Sequence, residues 1–168
     1  MTKYIKNSFA TFDKNELSIL INFHQMNSPE FTPHHLFCFV YIGFAHLSNE
    51  TMTEEIIEEI ERKIASWMNV NPSNIVEFNR VLHETYDWYN GLKKNEKLAN
   101  VLKVAKSINE IKGFTIENKK TFLSDIRDIA VADGRFSKDE KNMHDMIAKE
   151  MGINIMTTDK EIQKKIGF

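Results

Sequence analysis

Apolar residues recur along most of this chain at intervals of three and four, separated by short polar breaks. That interval gathers them on one face of an α-helix. Asp13-Lys14-Asn15-Glu16 has the form of a capping box and is followed by Leu17, Leu20, Ile21 and His24 at helical spacing, up to Asn27-Ser28-Pro29. Thr32-Pro33 then offers an N-cap and a first-turn proline to HHLFCFVYIGFAHL. This run is apolar nearly all round, which places it at the centre of a core. Ser48-Asn49-Glu50 breaks it, and Thr53 opens an amphipathic helix with Ile56, Ile57, Ile60, Ile64 and Trp67 inward. Glu54, Glu55, Glu58, Glu59, Glu61, Arg62 and Lys63 are expected mainly outside.

Asn71-Pro72-Ser73 marks the next boundary, before a helix carrying Ile75, Phe78, Leu82, Tyr86 and Tyr89 inward and closing near Asn90-Gly91. A further helix, from about Asn95 to Lys112, puts Leu98, Val101, Leu102, Ala105 and Ile108 on one stripe before Gly113. Thr115 begins the segment of Phe122, Ile126 and Ile129. Ser137 begins the segment of Met143, Ile147 and Met151, with Gly152 as its stop, and a short helix is expected from Thr158 to about Ile166. No strand alternation bounded by turn signals is present. The pattern predicts an all-α, single-domain bundle of seven or eight helices.

Two segments echo each other. FCFVYIGFAHLSNETMTEEI and FLSDIRDIAVADGRFSKDEK both run from apolar helix through a polar corner to a charged helix. Phe37, Tyr41, Phe44 and Ala45 fall where Phe122, Ile126, Ile129 and Ala130 fall. A helix-corner-helix pseudo-repeat over roughly 33–68 and 115–152 is the expectation.

Composition narrows the function. A chain of 168 residues with 42% hydrophobic and 27% charged residues suits one soluble domain. A formal net charge of -2 gives no global basic field for a nucleic-acid backbone or an anionic membrane. Leu36–Leu47 is shorter than the roughly 20 residues that cross a bilayer. One cysteine, Cys38, and an N-terminus without a long apolar stretch point to a reducing, cytoplasmic setting.

The densest cluster of possible chemistry is DIAVADGRFSKDEK, residues 128–141. With Gly134 at position 6 of a calcium loop, Asp133, Ser137 and Glu140 fall on positions 5, 9 and 12. Positions 1 and 3 become Ile129 and Val131, which offer no oxygen, so the loop fails. A tight corner accounts for most of it: Gly134 ends a helix, Asp133 turns the chain, Phe136 plugs the core, and Ser137 with Glu140 forms a capping box. What the corner leaves over is carboxylate. Asp125 and Asp128 share a helix face, Asp133 follows, and Asp139 and Glu140 return on the next helix. Such a gathering repels itself unless a cation or a basic partner compensates.

The order of these elements, Ala-x-Ala-Asp-Gly, a hydrophobic residue, Ser, an acidic helix and Met-Gly-Ile, resembles the TerB-like family named after tellurite-resistance proteins. The matching part is Phe122–Ile153, extending loosely to Phe37–Trp67. The resemblance implies an internally duplicated all-helical fold and a cytoplasmic, stress-associated, non-enzymatic module. Its acidic surface would bind a metal or a protein partner. Asp133 and Glu140 match the family's acidic positions, and Gly134 and Ser137 its corner. The first unit departs from the pattern, with Ser48-Asn49-Glu50 in place of Asp-Gly and Ile56 near the position of Glu140.

Other constellations are thinner. His34, His35 and Cys38 are the only soft-ligand group, lacking the fourth ligand of a structural zinc site, and they read as first-turn histidines and a buried thiol. No G-x-S-x-G, phosphate loop or H-E-x-x-H occurs. Trp88 lies off the expected stripe of its helix, as core packing or a partner anchor. The Lys93–Lys106 flank reads as solvated. The leading expectation is a non-catalytic module, with no cofactor required. Asp125, Asp128, Asp133 and Glu140 would hold a divalent cation or, with Asp139 and Trp88, a basic protein partner. An interaction protein using apolar grooves is the second reading, and a hydrolase built on the same carboxylates the third.

Overall fold

The computed structural model describes residues 31–49 and 52–154. Among them are six helices and no strand: α1 (Pro33–Ser48), α2 (Glu54–Met68), α3 (Ile75–Gly91), α4 (Lys94–Asn109), α5 (Ile116–Ala130) and α6 (Lys138–Glu150). The helices expected after Asp13 and from Thr158 lie outside the described residues, as does Glu50.

Helix α1 packs against each of the other five. Leu36 to Ala45 are buried without interruption, so the helix has no solvent face over nearly three turns. Its all-round apolarity is the cause. Phe37, Trp67, Phe114 and Phe122 form an aromatic cluster on one side, with Phe37 5.4 Å from Phe122 and 5.0 Å from Trp67. Phe37 and Phe122 thus bring α1 and α5 together in the core.

Local signals set the helix ends. Thr53 accepts from the Ile56 amide, Thr115 from Asn118 and Ser137 from Glu140. Helix α6 closes with bonds from Gly152 to Lys149 and from Ile153 to Ala148, the paired C-terminal pattern that a left-handed residue permits, and Gly152 has φ 70°. At the opposite corner α5 stops at Ala130, earlier than Gly134, because Val131 to Asp133 already form a turn.

Three faces differ from the sequence pattern. Helix α3 buries Val81, Thr85 and Tyr89, leaving Ile75 and Tyr86 exposed. The small Thr85 side chain is fully buried against α1, close to the Cys38 thiol. Helix α4 buries Lys97 and Val104 and exposes Leu98, with the Lys97 ammonium 4.2 Å from the centroid of the Tyr89 ring. In α2, Lys63 is inside, at 7% exposure.

At Gly43 α1 lies tightly against α4. A Cβ there would stand 2.2 Å from Val101 Cγ2, and the β-branched valine cannot swing away. Gly43→Ala should therefore lose about 1–3 kcal/mol in urea unfolding, outweighing the roughly 1 kcal/mol of helix propensity gained. Adding Val101→Ala should recover part of that loss. Purely additive losses would show that the approach is not tight.

Candidate functional site: an acidic groove beside a buried lysine

Helix α2 carries Glu55, Glu58, Glu59 and Arg62 at spacings of three and four, so they share a face. Lys63 sits one step round, in the Ile60–Trp67 stripe that faces α5. Its Nζ lies 2.8 Å from Asp125 Oδ1, 2.5 Å from Asp128 Oδ2 and 3.5 Å from Glu59 Oε1. One ammonium thus answers carboxylates from two helices.

Asp125 is bound on both oxygens. While Oδ1 faces Lys63, Oδ2 accepts from the Tyr41 hydroxyl at 3.0 Å and from Trp67 Nε1 at 2.9 Å. Three helices therefore converge on this carboxylate. Burial, reinforced by the Asp125 charge, pushes the Tyr41 hydroxyl well above its usual range and keeps it a donor. Burial works against the Lys63 charge, but hydrogen bonds to Asp125 and Asp128 outweigh it and raise the ammonium above its ordinary value. At neutral pH Lys63 is a fixed cation, not a base or a nucleophile.

Asp128 is the outward end of this network, with 31% of its side chain exposed. It opens onto a cavity of about 500 Å³ shared with Glu55, Glu58, Glu59 and Arg62, where Val131 and Ala132 add apolar lining. Arg62 is already engaged by Glu59, with Nε 2.7 Å from Oε2.

The other predicted acids are held differently. Asp133 Oδ1 accepts the Arg135 amide at 3.0 Å, the expected turn bond. Glu140 Oε2 accepts from the Ser137 amide at 2.5 Å and completes the capping box at 1% exposure. Burial pushes its carboxyl above the usual range; donors on Ser137 and Asn49 act the other way, and the Asp133 charge adds to the rise. Asn49 brings the altered first corner into contact with the second. Asp139 is exposed in the first turn of α6. Among the described residues, no three His, Cys, Asp or Glu side chains are grouped as a metal ion requires. Asp125, Asp128, Asp133 and Glu140 do not assemble as one ligand set. An ammonium already stands between the first two, and the last serves a helix end.

Trp88 is half-buried, its ring tilted against Phe39 at 4.0 Å and against Phe31 at 4.9 Å. Cys38 is fully buried, and desolvation pushes its thiol up to about 12. His35, in the first turn as expected, is fully buried and bonded to Glu84 at 3.1 Å. Lys63 is the member that sequence reasoning missed. The signal was its position, three after Ile60 and four before Trp67, on the inward stripe.

Two predictions follow from these charges. Lys63→Met strands two carboxylates and should cost about 3–5 kcal/mol, whereas Asp128→Asn, on the exposed side, should cost about 1 kcal/mol or less. Equal losses in chemical denaturation would contradict a lysine-centred network. For Glu140 the folded carboxyl is raised, so its ionised form opposes folding above that value and the opposition fades as pH falls through it. Glu140→Gln keeps the capping geometry, and should raise the melting temperature at pH 7 with a gain that vanishes below about pH 4.5. A gain unchanged across that range would show that burial of charge is not its cause.

No family model, no curated protein and no solved structure matches the chain.

Proposed function

We propose that this chain is a non-catalytic helical module that docks a Lys- or Arg-bearing segment of a protein partner in the groove between α2 and α5. The carrying observation is the groove's charge: Glu55, Glu58, Glu59 and Asp128 line it against the single guanidinium of Arg62. Arg62 is itself spent on Glu59. An incoming guanidinium would find paired carboxylates at helical spacing, suited to charge-assisted bonds. Its aliphatic stem would lie on Val131 and Ala132. A docked side chain is favoured over a divalent cation because Asp125 is saturated by Tyr41, Trp67 and Lys63. The TerB-like resemblance of Phe122–Ile153 belongs to the same reading, with a cytoplasmic setting associated with stress or tellurite resistance.

A short Arg/Lys-rich peptide titrated into the isotope-labelled full chain should shift amide signals along Glu55–Arg62 and Asp128–Ala132 first. Reversing Glu55 and Glu58 to Lys should weaken it tenfold or more, and added salt should weaken the parent similarly. Asp139→Lys, at the far helix, serves as the control. Equal weakening by the control would mean diffuse attraction to an acidic protein and would overturn the groove.

A further inference from the structure

The first turn of α1 is closed by a histidine. The backbone amide of Thr32 donates to His35 Nδ1 at 3.0 Å. An amide N–H can only donate, so Nδ1 carries no proton and the ring proton sits on Nε2, 3.1 Å from Glu84 Oε2. The imidazole is fully buried. Other helices use different groups at this third position: Glu96 in α4, Asn118 in α5 and Glu140 in α6 each face the amide of their own cap residue. Only α1, among the described helices, is closed by an imidazole.

The chain just before the cap is held by rings. Phe31 stands edge-on to His35 at 5.1 Å and against Trp88 at 4.9 Å, and Trp88 lies on Phe39 at 4.0 Å. We infer that His35 is an acid-sensitive latch: a second ring proton turns Nδ1 from acceptor to donor, opens the Thr32 cap and lifts Phe31 from Trp88. The Thr32 hydroxyl, 3.0 Å from Nδ1, can then accept the new N–H, but the Thr32 amide faces it and loses its acceptor.

The surroundings set where the latch opens. Burial lowers the imidazole below its ordinary value; the Glu84 hydrogen bond and charge, with Glu77 further off, act upward, while Arg80 acts downward. Arg80 Nη1 also bonds Glu84 at 2.9 Å and so shares its charge. His34 is a second cation in waiting, its imidazole lowered to about 4 by burial and by His35. The positive end of α1 adds to the opposition. A lowered histidine favours folding in its neutral form. That contribution is complete above the unfolded value of about 6.5 and is lost as pH falls toward the folded value.

The full chain, labelled with nitrogen-15, tests this between pH 7.5 and 4.5. As the His35 ring titrates, the protection of the Thr32 amide relative to its intrinsic exchange at each pH should fall tenfold or more and the Trp88 indole signal should move, while far-UV circular dichroism stays constant. His35→Asn supplies the cap that Asn118 makes in α5 without a titrating ring, and should flatten the response. Glu84→Gln removes an upward influence and should move opening to lower pH. A Thr32 amide that stays protected after His35 has titrated would overturn the latch. So would a Glu84→Gln variant that opens at the same pH as the parent, or loss of helix in step with the Trp88 signal.

Discussion

Tyr41 carries a hydroxyl into the middle of a helix that has no solvent face, and much of the structure answers that demand. A buried hydroxyl without a partner costs on the order of 1–3 kcal/mol, so α1 can hold Tyr41 only if another helix brings an acceptor. Asp125 in α5 does so, 3.0 Å away. A carboxylate so placed needs more than a phenol. Trp67 and Lys63 of α2 supply an indole N–H and an ammonium. The ammonium in turn draws in Asp128, the member that meets solvent. The groove is thus the outer end of a chain of obligations beginning at the core.

This chain explains why two adjoining carboxylates have opposite characters. Asp125 accepts from three side chains and holds α1, α2 and α5 in register, so it is spent on structure. Asp128, one helical turn on, pairs with Lys63 and keeps an exposed edge. Burial, rather than residue type, divides scaffold from site. The same distinction applies to Lys63 and Arg62, neighbours in sequence with 8% and 63% side-chain exposure. One is fixed by the core and the other stays at the surface, bonded to Glu59.

Local chemistry was legible in the sequence, and the orientation of faces was less so. Caps at Thr32, Thr53, Thr115 and Ser137, the stop at Gly152 and the central place of α1 all depend on a few adjacent residues. The inward face of α3 depends on which neighbour comes close. Thr85 and Val81 win over Ile75 and Tyr86 because small side chains let α3 reach α1. The excess of acids around residue 128 was visible, but their division was not. Glu140 looked like a ligand and a cap, and burial made it a cap. Lys63 looked solvated because a lysine on a charged helix usually is, and only the long-range pull of Asp125 and Asp128 brings it in. No periodicity in α2 alone contains that pull.

The two helix starts that depend on buried titratable caps are poised in opposite senses. Glu140 and His35 occupy the same third position, in α6 and α1, and each receives the amide of its cap residue. Desolvation disfavours the charged form of both. For a carboxyl that form exists at high pH, and for an imidazole at low pH. Acid therefore relieves the start of α6 while it loads the start of α1. Because α1 packs on every other described helix, a loss confined to its first turn leaves the contacts from Phe37 onward in place. An opening at Thr32 can thus stay local, since the central helix is anchored along its remaining length by the core it organises.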